Sequence, residues 1–140
     1  MKRLLGILAL VLMGAAPSPA APWTVVLLVR HAERAPGTGD VPISEAGQAR
    51  AAALAEVGKV AGVPAIITTQ FQGTHQPAGP LATALGLTPV VVGTGAEAAK
   101  HVADVPAAVR AQAGKTVLVV GHSNTIPAIV AALGGTRFKD

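Results

Sequence analysis

Four stretches of the chain are continuous runs of apolar residues, without the alternation of apolar and polar positions that marks a half-exposed strand. Strands buried on both faces have this pattern, and they occur mainly in parallel sheets covered by helices. The pattern therefore predicts four buried strands, at 24–29, 65–68, 89–92 and 116–120.

Between these runs, apolar residues recur at helical spacing, and glycine often follows them. Ser44 is a suitable cap for a first helix that continues through Val57, and Gly86 is a suitable end for a second. The predicted helices cover 44–57, 77–85, 97–113 and 124–133. Because strand and helix alternate throughout, we expect an α/β fold, a three-layer sandwich with a mostly parallel central sheet flanked by helices.

The first twenty residues have the layout of a secretory signal peptide. Lys2 and Arg3 precede the apolar run Leu4–Ala16, and small residues lead to Ala20. The run is shorter than the roughly 20 residues that a membrane span needs. We expect cleavage after Ala20, no stable membrane insertion afterwards, and one domain at 21–140 in the periplasm or outside the cell. An uncleaved N-terminal anchor is the alternative.

Composition excludes several classes of function. A chain of 140 residues with no cysteine fits one domain without a disulfide framework. Without Lys2 and Arg3, nine scattered basic residues face seven acidic ones, and only 2% of the residues are aromatic. Nucleic-acid binding lacks both a basic stripe and stacking platforms, so we expect no nucleic-acid partner. A local pocket for a small anion remains compatible with this charge.

Two of the predicted strands lead to histidine. The first continues into Arg30 and His31, and the last continues through Gly121 to His122. Ligands in open α/β sheets bind beyond the carboxyl ends of the strands, so neighbouring strands would bring both histidines to one crevice. Ser123 or Asn124 would cap the next helix, whose free N–H groups attract anions.

These residue types together predict a phosphate pocket that contains a nucleophile. Arg30 offers a planar, permanently charged fork that suits phosphate. Histidine can attack phosphorus and form a covalent intermediate, while nearby cations stabilise the charge of the transferring group. A zinc site at His31 and His122 lacks a convincing third ligand, so we expect no metal.

The chain resembles the histidine phosphatase superfamily, which has the phosphoglycerate-mutase-like fold. Four blocks match it in order, at Arg30–Arg34, Ile43–Arg50, Thr68–Phe71 and Gly121–Thr125. The resemblance implies an exported phosphohydrolase that needs no cofactor and acts on a small phosphorylated substrate. It further implies that His31 is the phosphorylated nucleophile. Arg30 and His122 would then hold the phosphoryl group, and Ser123 and Asn124 would shape the helix start beside it.

The chain departs from the family pattern where a second arginine is expected. Gly73 occupies that position, and Pro77 replaces a threonine. Losing one such donor typically costs about 10²–10³ in rate, and an arginine on a transferring phosphoryl group is worth about 10³–10⁵. Arg34 and His75 are the candidate substitutes for binding the substrate. Members of the family usually add a final strand after the position of residue 135. We expect this chain to lack that strand.

The general acid is open at this stage, because Glu97 is the sole carboxylate in its short loop and can equally cap a helix. Substrates with good leaving groups, such as phosphoanhydrides, acyl phosphates and phosphohistidine, are therefore favoured. A phosphate-binding protein that has lost catalysis and a structural envelope protein without an anion pocket are the alternatives. Three side chains are expected at the surface: His75, His101 and Arg50. A surface ion pair of Arg30 with Glu33 is the alternative to phosphate binding by Arg30. The sequence predicts no oligomeric state.

Overall fold

The computed structural model describes residues 23–136, so the expected signal peptide and its cleavage site lie outside the described residues. Strands and helices alternate along this part of the chain, as the apolar pattern predicts. The elements are β1 (Val25–Arg30), α1 (Glu45–Val60), β2 (Ala65–Thr68), α2 (Gln72–Leu85), β3 (Val90–Val91), α3 (Ala98–Arg110), β4 (Thr116–Gly121) and α4 (Ile126–Ala132). The expected α/β fold is confirmed.

The four strands form one parallel sheet in the order β1-β4-β2-β3. The register of β1 on β4 pairs Val25 with Thr116 and Arg30 with Gly121. His31 and His122 each follow the last pair, and the backbone N–H of His31 donates to the carbonyl of Gly121 at 2.9 Å. The sheet therefore places the two histidines side by side at its carboxyl edge.

Each face of the sheet carries its own apolar core, which gives the three-layer sandwich. Ile66 and Leu118 pack with Leu81 of α2 on one face. Ile67 and Val119 pack on the other face, with Val105 of α3 and Ile129 of α4. Burying one such side chain contributes about 1.5–3 kcal/mol. Both faces of β2 and β4 are covered, which explains their uninterrupted apolar runs. The expectation of burial is wrong for β3, which is exposed at the edge of the sheet.

Helix α2 begins at Gln72, five residues before the start that Pro77 suggested. Proline suits the first turn of a helix, but here Pro77 and Pro80 lie inside it. Pro77 has no N–H to offer the carbonyl of Gly73, one turn earlier. The N–H of Ala32 donates to that carbonyl instead, at 3.3 Å. Pro77 thus leaves free a backbone acceptor that ties α2 to the loop after β1.

Gly47 in the first turn of α1 allows this loop to pack closely. Ser44 caps the helix, since its Oγ accepts the N–H of Gly47 at 3.2 Å. The N–H of Ser44 donates to the carbonyl of Glu33 at 2.7 Å. A Cβ at Gly47 would lie 2.4 Å from that same carbonyl oxygen. Any larger residue there must push the loop away from α1.

We predict that Gly47→Ala lowers the free energy of unfolding by about 1–3 kcal/mol, because the added methyl overpacks the contact with Glu33. Gly95→Ala is the matched control, since Gly95 is exposed, does not need a left-handed backbone, and a Cβ there meets nothing within 4 Å. The control should be neutral or stabilising by up to about 1 kcal/mol, because alanine restricts the unfolded chain more than glycine does. Urea denaturation of both variants measures the difference, and equal effects would contradict the packing argument.

The sheet has one strand at each edge. Within residues 23–136, β1 pairs with β4 alone, so its second edge has no strand beside it. The expected absence of a final strand concerns the residues after 136, which are not described, and stays a prediction. The helices of the described part are too short or too polar to cross a membrane.

Candidate active site

His31 follows β1 directly, and its ring is oriented by a backbone carbonyl. Its Nδ1 lies 2.8 Å from the carbonyl oxygen of Ala32, a distance at which Nδ1–H donates. A neutral ring with the proton on Nδ1 carries its lone pair on Nε2. Arg30 Nε, 3.4 Å away, donates to this same Nε2 and so agrees with the assignment. The geometry thus leaves Nε2 of His31 unprotonated beside a permanent positive charge, which is the state that a nucleophilic imidazole requires.

His122 follows β4, and its ring faces that of His31 with a centroid distance of 5.6 Å. Its Nε2 lies 3.0 Å from the hydroxyl of Thr69, at the end of β2. The ring of Phe71 meets it edge-on at 5.7 Å. Three parallel strands therefore hold His122 in place: its own, the neighbour that leads to His31, and the neighbour that leads to Thr69.

A cavity of about 330 Å³ lies in front of the two histidines. It is lined by His31, Arg34, Gly39, Asp40, Phe71, Gly73 and His122. We call it the phosphate cavity, because two imidazoles and a guanidinium, which are groups suited to binding phosphate, converge on it. The volume falls at the small end of the range for ligand sites, which suits a phosphoryl group with a modest substituent.

Arg34 occupies the region that a side chain at position 73 would enter. A Cβ built on Gly73 would lie 3.6 Å from His31 Cβ and 3.9 Å from Arg34 Cγ. The guanidinium of Arg34 donates to the carbonyl of Gly39, which anchors the side chain to its own loop. Among the described residues that line the phosphate cavity, Arg34 is the one arginine. This position supports the sequence-based expectation that Arg34 substitutes for the arginine missing at 73.

A larger, open groove of about 720 Å³ adjoins the phosphate cavity on the side of β1 and α1. The two share His31 and Arg34. Val29, Leu54 and Val57 give the groove an apolar wall, and Arg30 lies at its rim. A substituent on the phosphate has room to extend in this direction.

His122 has a lowered pKa. Burial is the largest cause, since it penalises the charged ring, and the charges that His31, His101 and Arg34 carry when protonated act in the same direction. His122 is therefore neutral at pH 7 in the free protein.

This shift predicts how stability depends on pH. The unfolded chain takes up a proton at a histidine near pH 6.5, whereas folded His122 does so only at lower pH. Acidification through this window therefore lowers the free energy of unfolding, and the contribution is fully retained above it. Urea denaturation at about pH 7.5 and about pH 5.5 measures the change. His122→Gln should show a smaller drop than wild type, and an equal or larger drop would contradict the shift.

Three residues predicted to bind substrate lie outside the lining of the phosphate cavity. Ser123 and Asn124 are exposed in the turn after His122, and His75 is half-buried on α2. Helix α4 begins at Ile126, so Thr125 holds the N-cap position that Ser123 or Asn124 was expected to hold. The chain makes a further turn after His122, because the N–H groups of Thr125 and Ile126 both donate to the His122 carbonyl. Binding by Ser123, Asn124 and His75 stays a prediction.

The expectation that His101 lies at the surface is wrong. Only 2% of it is exposed, and its Nδ1 lies 3.2 Å from the carbonyl of Gly93. It shares the buried face of α3 with Val105 and Val109, so its position in the helix outweighs its polarity. Glu97 precedes α3 and lines a separate surface cavity with Gly93, away from the phosphate cavity.

Glu33 pairs with Arg50, so the alternative in which Glu33 forms an ion pair with Arg30 is not the one that the structure shows. Glu33 accepts two hydrogen bonds from Arg50, one of them at 2.9 Å from Nε, and this contact lowers the pKa of Glu33. The guanidinium of Arg30 donates to His31 instead. Arg50 is exposed, as expected.

Sequence reasoning missed two residues of the site, Asp40 and Thr69. Asp40 lines the phosphate cavity, and its Oδ1 accepts the N–H of Gln72 at 2.9 Å. Asp40 lies at the end of the glycine-rich loop that follows His31. An acidic residue at that place in the sequence was the signal that could have identified it as a site residue. Thr69 lay in a matched block, but a threonine at a strand end gives no sign of its partner. Among residues 23–136 there is no group of three or more residues suited to hold a metal ion.

Comparisons with known proteins agree with this geometry. The sequence profile of the histidine phosphatase superfamily (branch 1) matches residues 26–95. The structure of the protein histidine phosphatase SixA complexed with tungstate is 20% identical, with a TM-score of 0.63, and the match covers 81% of this chain and 80% of that one. A SixA-type protein from Nakamurella multipartitia is 25% identical, with a TM-score of 0.58 and coverage of 86% and 76%.

A mycobacterial glucosyl-3-phosphoglycerate phosphatase is 20% identical, with a TM-score of 0.58 and coverage of 75% and 76%. No curated protein sequence matches the chain significantly. The solved structures thus share its fold over most of their length.

Proposed function

Because the chain belongs to the histidine phosphatase superfamily, we propose that it hydrolyses a small phosphorylated substrate through a phosphohistidine at Nε2 of His31. One observation carries this proposal. The bond from Nδ1 to the Ala32 carbonyl leaves the lone pair of His31 on the nitrogen beside Arg30. That is the protonation state an attacking imidazole needs.

The reaction takes two displacements at phosphorus. First, the Nε2 lone pair of His31 forms a bond to phosphorus while the bond to the leaving group breaks and its electron pair leaves with that group. Water then attacks the phosphorus, the N–P bond breaks, and its electron pair returns to Nε2. Inorganic phosphate and a proton are released. Arg30 and Arg34 stabilise the negative charge of the transferring group.

The substrate class follows from the proton donors near the cavity. Among the described residues that line the phosphate cavity, Asp40 is the one carboxylate. Its Oδ1 already accepts the N–H of Gln72. Leaving groups that depart without strong acid assistance are therefore favoured, such as those of acyl phosphates, phosphoanhydrides and phosphohistidine. A neighbour of the same fold is called a protein histidine phosphatase, which fits a phosphorus–nitrogen substrate.

The test is to trap the intermediate. We expect the full chain mixed with an aryl or acyl phosphate to accumulate acid-labile phosphate on His31, identified by peptide mass spectrometry after rapid denaturation. A simple alkyl phosphate should give far less, because its alkoxide leaves poorly. Phosphate found on another residue would contradict the mechanism. Equal rates with aryl and alkyl phosphates would contradict the proposed substrate class.

Gly73 favours a second candidate, a phosphate-binding protein of the same fold that no longer turns over. In this case inorganic phosphate or vanadate raises the melting temperature by mass action, yet no phosphohistidine forms. A structural protein without an anion site would show neither response.

We propose in addition that the protein acts after export, in the periplasm or outside the cell. The support is the charged start and apolar run of residues 1–20. Expression of the full chain, followed by cell fractionation and N-terminal sequencing, should find an exported form that begins at Ala21. Full-length protein in the cytoplasm would contradict export.

A further inference from the structure

The hydroxyl that contacts His122 belongs to a small buried network at the end of β2. Thr69 is 2% exposed and Thr74 is fully buried. The Thr69 hydroxyl lies 3.0 Å from His122 Nε2 and 2.9 Å from the hydroxyl of Thr74. Thr74 Oγ1 lies in turn 2.9 Å from the carbonyl of Phe71 and 3.2 Å from both the N–H and the carbonyl of Thr69.

Each hydroxyl has one proton, which fixes the direction of these bonds. The Thr74 hydroxyl has carbonyl oxygens on two sides and therefore donates to one of them, the nearer being that of Phe71. It then has only lone pairs to offer Thr69, so the Thr69 hydroxyl must donate to Thr74. The proton of Thr69 is thereby used, and it can only accept a hydrogen bond from His122.

We propose that Thr69, held by Thr74, is a positioning residue that fixes the proton of neutral His122 on Nε2. Proton exchange at His122 then takes place at Nδ1. The inference deepens the proposed function, because it assigns the protonation state of the second histidine of the phosphate cavity. It rests on that function only for its catalytic consequence, since the tautomer can be observed in the free protein.

The network also explains why the ring stays in place without a charged partner. Among the described residues the hydrogen-bond partner of the His122 ring is the neutral hydroxyl of Thr69, and burial lowers the pKa of the ring. A hydroxyl that accepts one N–H fixes the ring plane and keeps the ring neutral at the same time. The ring of Phe71 limits the remaining rotation from its edge.

The test is nitrogen NMR of the full chain with labelled histidine, in which the two ring nitrogens of each tautomer have distinct shifts. The His122 signals are assigned by their loss in His122→Gln. Wild type should show protonated Nε2 and unprotonated Nδ1 at neutral pH. Thr69→Val should give a mixture of tautomers, and Thr69→Ser should restore the wild-type pattern. Unprotonated Nε2 in the wild type, or an unchanged tautomer in Thr69→Val, overturns the proposal.

Thr74→Val gives the sharpest version of the test. Without the Thr74 acceptor, the Thr69 proton is free to turn toward His122, so the population should shift to the form protonated on Nδ1. Thr68→Val is the matched control, because Thr68 is equally buried and its hydroxyl has no hydrogen-bond partner among the described residues. The control should leave the His122 signals unchanged. A shift as large as that of Thr69→Val would mean that the effect is general packing, and would overturn the specific role.

Activity separates this proposal from the proposed function. If the enzyme turns over, Thr69→Val should lower kcat more than it raises KM, and Thr69→Ser should recover it. Turnover that is insensitive to Thr69→Val would overturn the catalytic consequence while leaving the phosphohistidine mechanism intact. A wild type without turnover would contradict the proposed function, yet the NMR result would still decide the tautomer.

Discussion

Replacing His31 by asparagine is expected to lower the rate of aryl phosphate hydrolysis by roughly 10³- to 10⁶-fold, as removal of a covalent nucleophile does. Asparagine keeps a polar group near the Ala32 carbonyl but has no lone pair that can form a stable bond to phosphorus. The measurement is kcat/KM with para-nitrophenyl phosphate, accompanied by the loss of acid-labile phosphate from the protein.

His75→Asn is the matched comparison for this variant. His75 is a half-buried histidine of the same chain that does not line the phosphate cavity. The predicted contribution of His75 to substrate binding would raise KM, whereas loss of a nucleophile lowers kcat, so His75→Asn should retain far more kcat than His31→Asn. Melting curves of both variants should confirm that they fold. Wild-type rates in His31→Asn would show that the measured hydrolysis does not take place in this cavity.

Arg34→Ala is expected to reduce kcat/KM by about 10²–10³-fold, because it removes the guanidinium from the phosphate cavity. Gly73→Arg should then recover much of this loss when it is added to Arg34→Ala. The structure leaves room for it, since a Cβ at 73 makes only ordinary contacts and the glycine does not require a left-handed backbone. The two positions would serve the same phosphate, so their effects should be strongly non-additive.

The measurement is a double-mutant cycle of kcat/KM over the wild type, both single variants and the pair. Arg50→Ala is the control, because Glu33 already binds its guanidinium at the surface and an exposed ion pair contributes little to stability. Additive effects of Arg34→Ala and Gly73→Arg would contradict the substitution of one arginine by the other. Activity that appears only when Gly73→Arg is present would favour the phosphate-binding alternative.

The sequence predicted the sheet well, because the burial of a strand can be inferred from the run of apolar residues within that strand. β4 is a continuous apolar run that ends at Gly121, and burial on both faces is the simplest reason for such a run. Two such runs that end in histidine were enough to place His31 and His122 at one edge. The order of the strands then made them neighbours.

The misses came from contacts between distant parts of the chain. Pro77 resembles a helix start when it is read alone, but a distant N–H compensates for the bond that it cannot make. Thr69 meets His122 only because β2 lies beside β4. His101 is buried because its neighbours on α3 face the core. No local pattern carries that information.

The hydrogen bond from Ala32 to the Gly73 carbonyl has a consequence for ligand binding. It spans the two backbone segments on either side of the phosphate cavity, one next to His31 and one at the start of α2. A proline inside a helix ordinarily costs about 3 kcal/mol, yet here Pro77 keeps the helix from reclaiming that carbonyl. The width of the cavity is therefore set before any anion arrives. Binding loses little conformational entropy, and the site is preorganised by its backbone.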